Sequence, residues 1–530
     1  MSAPRQGPLV GRRGWLAMAA STAAATSLPR WAWATAPLTQ DPFALGVASG
    51  DPLPDGVVLW TRLVGLPAAA QQPLTVHWEV AHDERFAHGV QRGQATALPG
   101  LGHSVHVEVQ GLAPDRWYFY RFRHGDATSP TGRTRTAPAA DALPARLRVA
   151  YASCQRWEHG HYAAWRHLAQ HAPDLVLFLG DYIYEYAPPR DTAGLARTSN
   201  LPLATTLADF RDRYALYRSD PALQAAHAAC PWAVTWDDHE VQNDYAGNTG
   251  VGDDPAQLLG IRAAGWQAFY EHMPLRTSAR TDAAFGALQL YRSLAWGRLA
   301  HLHLLDLRQF RSRQACRRSS ASGAGQVSPT DCAELVDATR TLLGPAQEQW
   351  LGAALQADAR PDATRWSVIA QQTLLAPRLQ PSGRLFADGW DGYPAARDRL
   401  LQAVANASPR NTVLLGGDIH QNVVARLHAQ VVDGGQMAGP VIASEFCGTS
   451  ISSRTGATPA QMDALVRQHP HLLLARPDKR GYGVAEITPR RWTATLLAVD
   501  DPMRADSAVA PLARFVVEDG RPGPQRDDSA

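Results

Sequence analysis

The sequence contains little lysine, little cysteine and no long apolar run. Lys479 is the only lysine among 530 residues, so nearly all of the 51 basic side chains are arginines, and 49 acidic side chains balance them. Such a balance gives no sign of a nucleic-acid partner. No apolar stretch approaches the roughly 20 residues of a membrane-spanning helix, so stable membrane insertion is not expected. The composition, 45% apolar and 19% charged, is typical of a globular protein, and the length predicts two domains of unequal size.

The few cysteines carry information through their spacing. Cys316 and Cys332 flank a Ser/Gly-rich loop, which predicts a disulfide if the protein reaches an oxidising compartment. The total of five leaves at least one thiol unpaired, and Cys154 is the candidate because it ends a predicted strand in "VAYASCQ". Cys230 and Cys447 could pair with each other, and the sequence leaves that question open.

The amino terminus predicts export. Residues 1–34 contain the pair Arg12 and Arg13, a weakly apolar Ala-rich stretch and an A-x-A site that ends at Ala34. This order resembles a twin-arginine signal, and the alternative interpretation is a disordered Ala-rich tail. Because the twin-arginine machinery carries folded proteins, commonly with a cofactor already loaded, the segment favours a metal enzyme that is periplasmic or secreted.

The remaining chain divides into three parts. Residues 42–137 consist of short alternating segments separated by Pro, Gly and Asp turns, the pattern of a small β-sandwich. After a Pro/Ala linker, residues 146–500 alternate predicted strands with helical stretches, which indicates an α/β domain with a parallel sheet flanked by helices. Residues 501–530 are polar and contain Pro and Gly, so we expect a tail that could cover a site as a lid.

Possible metal ligands follow four predicted strands of the second domain at their carboxyl ends, where open α/β sheets bind their ligands. The blocks are "ASCQ" with Cys154, "FLGDYIYEY" with Asp181 and Tyr184, "WDDHEVQND" with Asp238, His239 and Asn243, and "GGDIHQN" with Asp418 and His420. Any one block alone is more often a turn or a helix cap, but four together predict a metal centre.

The chemistry of these side chains constrains the ion. Carboxylate and carboxamide oxygens suit hard cations such as calcium, whereas thiolate and tyrosinate suit an ion such as ferric iron. A single zinc ion would leave several of the candidates without a role. His301 and His303 share one face of another predicted strand, but no carboxylate motif accompanies them, so we expect a structural role for both.

The motifs together resemble one family. They are "FALGVASGDPLPDGVVLWTRL", "ASCQ", "FLGDYIYEY", "VTWDDHEVQNDYAG", "QQTLL", "DGWDGYPAARDRLL" and "LGGDIHQN". In this order they resemble the alkaline phosphatase D (PhoD) family, a branch of the calcineurin-like metallophosphoesterases, and the resemblance covers nearly all of the chain after the predicted signal. It implies a fibronectin-like β-sandwich followed by an α/β metallophosphatase core that holds Fe³⁺ and Ca²⁺.

The resemblance also implies roles for the candidate ligands. Cys154, Asp181 and Tyr184 would contact ferric iron, with Asp181 bridging to calcium. Asp418 and His420 would complete the cluster. The third block would supply either Asp238 or Asn243, and the sequence leaves that choice open.

The implied reaction is metal-dependent hydrolysis of phosphomonoesters and phosphodiesters. Cations a few ångströms apart can neutralise phosphate oxygens and activate water for in-line attack. His239 is the expected proton donor or transition-state stabiliser, and its structural alternative is a histidine merely held by Asp237. Two other hypotheses stay open: a phospholipase D-like phosphodiesterase, and a surface-binding protein that carries a vestigial catalytic core behind its sandwich domain.

Overall fold

The computed structural model describes residues 41–66, 71–252, 254–317, 323–380 and 382–528. The predicted export signal, residues 1–34, lies outside these ranges, and its interpretation stays a prediction. Within the described ranges, no helix combines the length and the apolar character that crossing a membrane requires.

The amino-terminal region forms strands joined by short turns. They are β1 (Val47–Leu53), β2 (Gly56–Arg62), β3 (Leu74–Ala81), β4 (Gln91–Ala97), β5 (Ser104–Gln110), β6 (Trp117–His124), β7 (Ala127–Thr128) and β8 (Gly132–Arg135). Alternate residues of β2 and β6, among them Leu59 and Tyr120, point into one core between two sheets. One sheet contains β1, β2 and β5, and the other contains β3, β4, β6, β7 and β8.

The rest of the chain supplies the larger sheets. Its strands are β9 (Leu147–Ala152), β10 (Leu175–Leu179), β11 (Trp232–Thr235), β12 (Arg292–Trp296), β13 (Ala300–Leu304), β14 (Gln326–Val327), β15 (Trp366–Ala370), β16 (Leu385–Phe386), β17 (Thr412–Gly416), β18 (Asn422–Val432), β19 (Gln436–Cys447), β20 (Leu472–Arg476), β21 (Arg480–Ile487), β22 (Arg491–Val499), β23 (Val509–Glu518) and β24 (Arg521–Arg526).

Seven α-helices lie in the described residues. They are α1 (Ala163–His171), α2 (Leu207–Arg218), α3 (Pro221–Ala229), α4 (Pro255–His272), α5 (Pro345–Asp358), α6 (Pro394–Ala407) and α7 (Pro459–Gln468). Several begin at a sequence signal that is typical of a helix start. Thr206 and Asp209 form a capping box at α2, and Asp220 and Asp254 accept backbone N–H groups at the starts of α3 and α4.

Two mixed sheets pack face to face and are flanked by helices. One has the order β24-β23-β22-β21-β9-β10-β11-β1-β2-β5, and the other has the order β12-β13-β15-β17-β19-β18-β20. Strand β10 is buried on both faces: Leu177 contributes to the core between the sheets, and Phe178 packs under the helices. The expected parallel arrangement holds for β9-β10-β11 and for β13-β15-β17-β19, but both sheets also contain antiparallel strands.

The two predicted domains share a sheet. Strand β1 pairs in parallel with β11 through Gly50 and Trp232, so one layer of the amino-terminal sandwich continues the ten-stranded sheet. A Cβ atom at Gly50 would lie 2.5 Å from the Pro274 carbonyl oxygen and 2.7 Å from that of Trp232, so only glycine allows this approach. The linker predicted from residues 137–145 therefore does not separate two independent bodies.

The prediction of a polar tail or lid over residues 501–530 is wrong for most of that segment. Of residues 501–530, the segments β23 and β24 are strands of the ten-stranded sheet rather than a free tail or lid. The physical reason is the alternation of apolar residues in β23, where Phe515 and Val517 are buried between the sheets. The turn before β23 contacts a neighbouring loop, where the Pro502 carbonyl accepts the His161 N–H at 2.8 Å.

The structure contains one disulfide among its described residues, and it is the one that the cysteine spacing predicts. Cys316 and Cys332 form a disulfide, which confirms that prediction. Cys154, Cys230 and Cys447 are free and buried, so the possible pairing of Cys230 with Cys447 does not occur.

Candidate metal centre

The predicted ligand blocks meet at one edge of the two packed sheets. Cys154 follows β9, Asp181 follows β10, and Asp238 and His239 follow β11. Gly180 makes this convergence possible, since a Cβ atom there would lie 2.4 Å from the Cβ of Asp237, and its φ is +103°. Parallel neighbouring strands therefore place their carboxyl ends, and the acids that follow them, in direct contact.

Two groups of possible ligands share one residue. Donor atoms of Cys154, Asp181 and His420 lie within 4.8 Å of one another, and so do donor atoms of Asp181, Asp238 and His239. Asp181 belongs to both groups. This arrangement has the form of two adjacent cation sites joined by one carboxylate.

The backbone is strained where these side chains emerge. Cys154, Asp181, Asp418 and His420 have φ values of 58°, 58°, 62° and 56°, in the left-handed region that residues other than glycine seldom occupy. Each residue in this left-handed conformation destabilises the folded state by about 1 to 2 kcal/mol. The same unusual conformation at four predicted ligand positions turns the side chains out of the strand direction and toward a common point.

Asp181 is buried with an incomplete set of partners. Its Oδ2 accepts a hydrogen bond from the Tyr184 hydroxyl at 2.8 Å, whereas its Oδ1 has no hydrogen-bond partner among the described residues. Burial and then the neighbouring acids raise the pKa of Asp181 well above its usual range, although His239 opposes this shift. A buried carboxylate oxygen without a donor is costly, and a bound cation would remove that cost.

Soft and phenolic donors lie on one side of Asp181. The Tyr184 hydroxyl is 3.2 Å from His420 Nε2 and 2.7 Å from the Ser453 hydroxyl. His420 Nδ1 contacts the Arg454 carbonyl oxygen at 2.8 Å, which leaves Nε2 facing the centre. Burial raises the pKa of the Cys154 thiol, and Asp181 adds to the shift.

His239 is held by a residue that the sequence analysis did not select. Its Nδ1 lies 2.7 Å from Glu185 Oε2, and Glu185 Oε1 accepts the Asn243 backbone N–H at 2.8 Å. The alternative in which Asp237 holds His239 is wrong, because Asp237 binds Arg308 instead. Burial lowers the pKa of His239, but the carboxylates of Glu185 and then Asp181 outweigh burial and raise it well above its ordinary value.

Arg308 organises the acids on the other side of Asp181. Its guanidinium binds Asp237, lies 3.4 Å from Asp238 Oδ1 and 2.8 Å from Asp388 Oδ2. Asp238 Oδ2 also accepts the Asp244 N–H at 2.6 Å. Burial favours the neutral form of Asp238, but Arg308 outweighs burial and lowers its pKa, so the carboxylate stays charged.

Three predicted ligands lie outside the two groups: Tyr184, described above, and Asp418 and Asn243. Asp418 is buried after β17, where burial raises its pKa to about 6, and it lines a cavity of about 580 Å³ beside the centre. Asn243 lies next to the second group, and its backbone N–H is bound by Glu185. Asp238 lies within the second group, and the choice between Asp238 and Asn243 as a ligand stays open.

Several supporting residues were not predicted. Glu240 accepts the backbone N–H groups of Asp181, Tyr182 and Asp237 and so fixes two of the strand ends together. Glu185 and Glu240 stand inside quoted motifs, and their acidity next to apolar strands was the available signal. Ser453 and Asp388 come from distant loops, and no local pattern marks them.

Comparison with known proteins shows which proteins this chain is similar to. The sequence model of PhoD-like phosphatases matches residues 149–496, and the model of the N-terminal domain of PhoD-like phosphatases matches residues 29–138. Alkaline phosphatase D of Bacillus subtilis (strain 168) is 42% identical over 494 residues, which cover 91% of this chain and 82% of the relative. A solved structure of PhoD superposes with a TM-score of 0.85 at 40% identity and covers 94% of each chain.

Proposed function

The chain belongs to the PhoD-like phosphatase family and is a phosphoric ester hydrolase, and from that premise we propose that it cleaves both phosphomonoesters and phosphodiesters at a centre that holds ferric iron and calcium. The observation that carries the proposal is the position of Asp181, which is shared by two groups of donor atoms and keeps one buried oxygen without a partner. A vestigial core would not need to retain that arrangement.

The donor types assign each metal to a side of Asp181. Cys154, Tyr184 and His420 are the residues that would hold ferric iron together with Asp181, because thiolate and phenolate favour such an ion. Asp238 or Asn243 would supply oxygen ligands to calcium, with Asp418 completing the cluster. The cations, when bound, would supply charge neutralisation of the phosphoryl oxygens and activation of the attacking water.

Side chains of the protein would supply the proton for the leaving group and hold the acidic residues in position. His239, with its ring fixed by Glu185 at 2.7 Å, is placed to give a proton to the leaving alcohol through Nε2. The raised pKa of His239 favours the protonated form that this role needs. Arg308 keeps Asp237 and Asp238 oriented, since its guanidinium contacts both carboxylates.

We also propose that the protein is exported by the twin-arginine machinery to the periplasm or the medium. The Arg12 and Arg13 motif supports this, and so does the disulfide between Cys316 and Cys332, which is typical of oxidising compartments. Cell fractionation of the wild type and of a variant with Arg12 and Arg13 changed to Lys tests the proposal. Equal export of both proteins would contradict it.

The test of the reaction compares two buried cysteines. Wild-type protein is assayed in excess calcium with 4-nitrophenyl phosphate and bis(4-nitrophenyl) phosphate, and its metal content is measured by mass spectrometry. We expect iron and calcium in the protein and turnover of both esters. Cys154→Ser is expected to lose iron and activity together, because serine does not supply the soft thiolate ligand.

Cys230→Ser is the matched control, since Cys230 is equally buried but lies between helix α3 and the start of β11, whereas the candidate ligands Asp238 and His239 follow the end of that strand. It should keep both iron and activity. Turnover of the diester alone would favour a phospholipase D-like diesterase instead. Full iron content in Cys154→Ser would contradict the assigned iron ligand.

A further inference from the structure

A cavity of about 580 Å³ opens directly beside Asp418. Its walls come from the loop after β15, the loop after β17 and the segment that leads into α7. Binding sites for organic ligands commonly measure about 300 to 1,000 Å³, so the cavity is large enough for the alcohol part of a phosphate ester.

Arg378, on the wall of this cavity, carries a charge that the protein does not neutralise. Its guanidinium lies 5.2 Å from the centre of the Phe386 ring, which orients it. Among the described residues, no carboxylate oxygen comes within 4.0 Å of its guanidinium nitrogens.

Two of the nearby carboxylates, Asp388 and Asp391, are bound by other arginines, and Asp244 and Asp418 also line the cavity. Asp388 is bound by Arg308 and Arg311 at 2.8 and 3.3 Å. Asp391 pairs with the Arg397 guanidinium, and it contacts Arg378 only through the backbone N–H, at 3.2 Å. Because its guanidinium has no carboxylate partner among the described residues, Arg378 is available to an anionic group of a bound molecule.

A second polar group in the cavity is also without a partner. Gln421 is 5% exposed and lines the same space, and its Oε1 has no hydrogen-bond partner among the described residues. This acceptor could receive a hydrogen bond from a hydroxyl of a bound molecule. The cavity thus combines one free cation with one buried free acceptor next to a predicted metal ligand.

We propose that this cavity binds the alcohol group of a phosphodiester substrate and that Arg378 recognises a second anionic group on that alcohol. The inference rests on the proposed function, because the scissile phosphate would be held at the adjacent metal centre. Arg378 is a specificity residue here and does not touch the reacting atoms. The guanidinium fork matches a carboxylate, phosphonate or phosphate in planar, two-point geometry.

The test uses two 4-nitrophenyl phosphodiesters that differ only at the end of the second arm, a 4-hydroxybutyl and a 4-phosphonobutyl ester. Release of 4-nitrophenol reports cleavage of both. We expect wild-type protein to favour the phosphonobutyl ester in kcat/KM, and Arg378→Gln to lower kcat/KM for that ester by about tenfold to a hundredfold, since the lost contact is a charge-assisted hydrogen bond. The neutral ester should change by less than about twofold.

Arg384→Gln is the matched control. Arg384 is close in sequence, exposed and not part of the cavity lining, and its guanidinium contacts the wall only through the backbone carbonyl of Gln326. The kcat/KM of Arg384→Gln for both esters should equal that of the wild type. Arg378→Lys should restore part of the preference, because the charge returns without the two-point geometry.

The outcomes separate this inference from the proposed reaction. Hydrolysis of both esters without a preference, a preference that survives in Arg378→Gln, or an equal loss on both esters would each overturn the role of Arg378 and leave the reaction intact. Failure of the wild type to cleave either diester would instead overturn the diesterase part of the proposed function and, with it, this inference.

Discussion

Two buried clusters of histidine and carboxylate lie in this molecule, and they differ in how their donor atoms are used. In the candidate metal centre, Asp181 Oδ1 has no hydrogen-bond partner among the described residues, and Asp181 has a φ of 58°. In the second cluster, Asp358 binds His301 at 2.6 Å, His303 at 2.8 Å and the Ser367 hydroxyl at 2.6 Å. Both oxygens of Asp358 are therefore fully used.

The comparison shows why residue type alone does not identify a metal site. His303 in the second cluster also binds the Ser293 hydroxyl through Nδ1 at 2.8 Å, so neither ring nitrogen is left for an ion. A satisfied network stabilises the fold, whereas a strained and incompletely paired one fits a role in binding. The same substitution, aspartate to asparagine, should consequently have opposite effects in the two clusters.

The largest effect is expected from Asp181→Asn. Removal of the shared carboxylate should lower activity on 4-nitrophenyl phosphate by several orders of magnitude and reduce the bound metal, since both proposed cation sites lose a ligand. The unfolding free energy of the metal-free protein should not fall, because a buried, incompletely paired charge is removed. Chemical denaturation in a chelator measures the unfolding free energy of the metal-free protein, and metal analysis measures the bound metal. If metal-free Asp181→Asn were less stable than the metal-free wild type, the predicted difference between the two clusters would be wrong.

Asp358→Asn should give the converse result. The variant is expected to lose about 2 kcal/mol of unfolding free energy, because charge-assisted hydrogen bonds to two histidines and a serine are weakened. The kcat of the folded protein should stay unchanged. Urea denaturation measures the unfolding free energy, and a steady-state assay measures kcat. A large fall in kcat would mean that this cluster takes part in the reaction.

The same residue predicts a pH dependence. Burial favours the neutral acid, but hydrogen bonds from His301 and His303 outweigh it and lower the pKa of Asp358 to about 2. A lowered folded-state pKa contributes stability above the unfolded value of about 4, and this contribution is lost as the pH falls from there to about 2. The stability difference between wild type and Asp358→Asn should therefore shrink over that interval, and a constant difference would contradict the assignment.

A smaller loss of activity than in Asp181→Asn is expected from Glu185→Gln, which tests a fully paired carboxylate inside the candidate metal centre. Glu185 holds His239 Nδ1 and the Asn243 N–H. We expect kcat to fall by about tenfold to a hundredfold while iron content stays the same, since the change acts through the orientation of His239. The basic limb of the pH profile should also move to lower pH, because a carboxylate that raises the His239 pKa is gone. An unshifted profile would indicate a purely structural role.

Much of the fold could be predicted from local patterns. The short strands predicted within residues 42–137 and the alternation of strands and helices predicted within residues 146–500 are both present in the structure. The pattern did not reveal that β1 would join β11, because one backbone pairing through Gly50 leaves no periodic signal. It also missed β23, whose Pro, Ala and Arg content concealed the buried alternation around Phe515.

The candidate site shows the same division. The sequence by itself determined which donors stand at strand ends, because a buried strand that stops at a Gly-Asp pair or a thiol is a local pattern. Only the tertiary structure decided that Asp181 belongs to two groups, that Glu185 rather than Asp237 holds His239, and that Arg378 lies on a cavity wall without a carboxylate partner among the described residues. These facts depend on contacts between residues tens to hundreds of positions apart, and such contacts are set by the packing of two sheets rather than by any local preference of the chain.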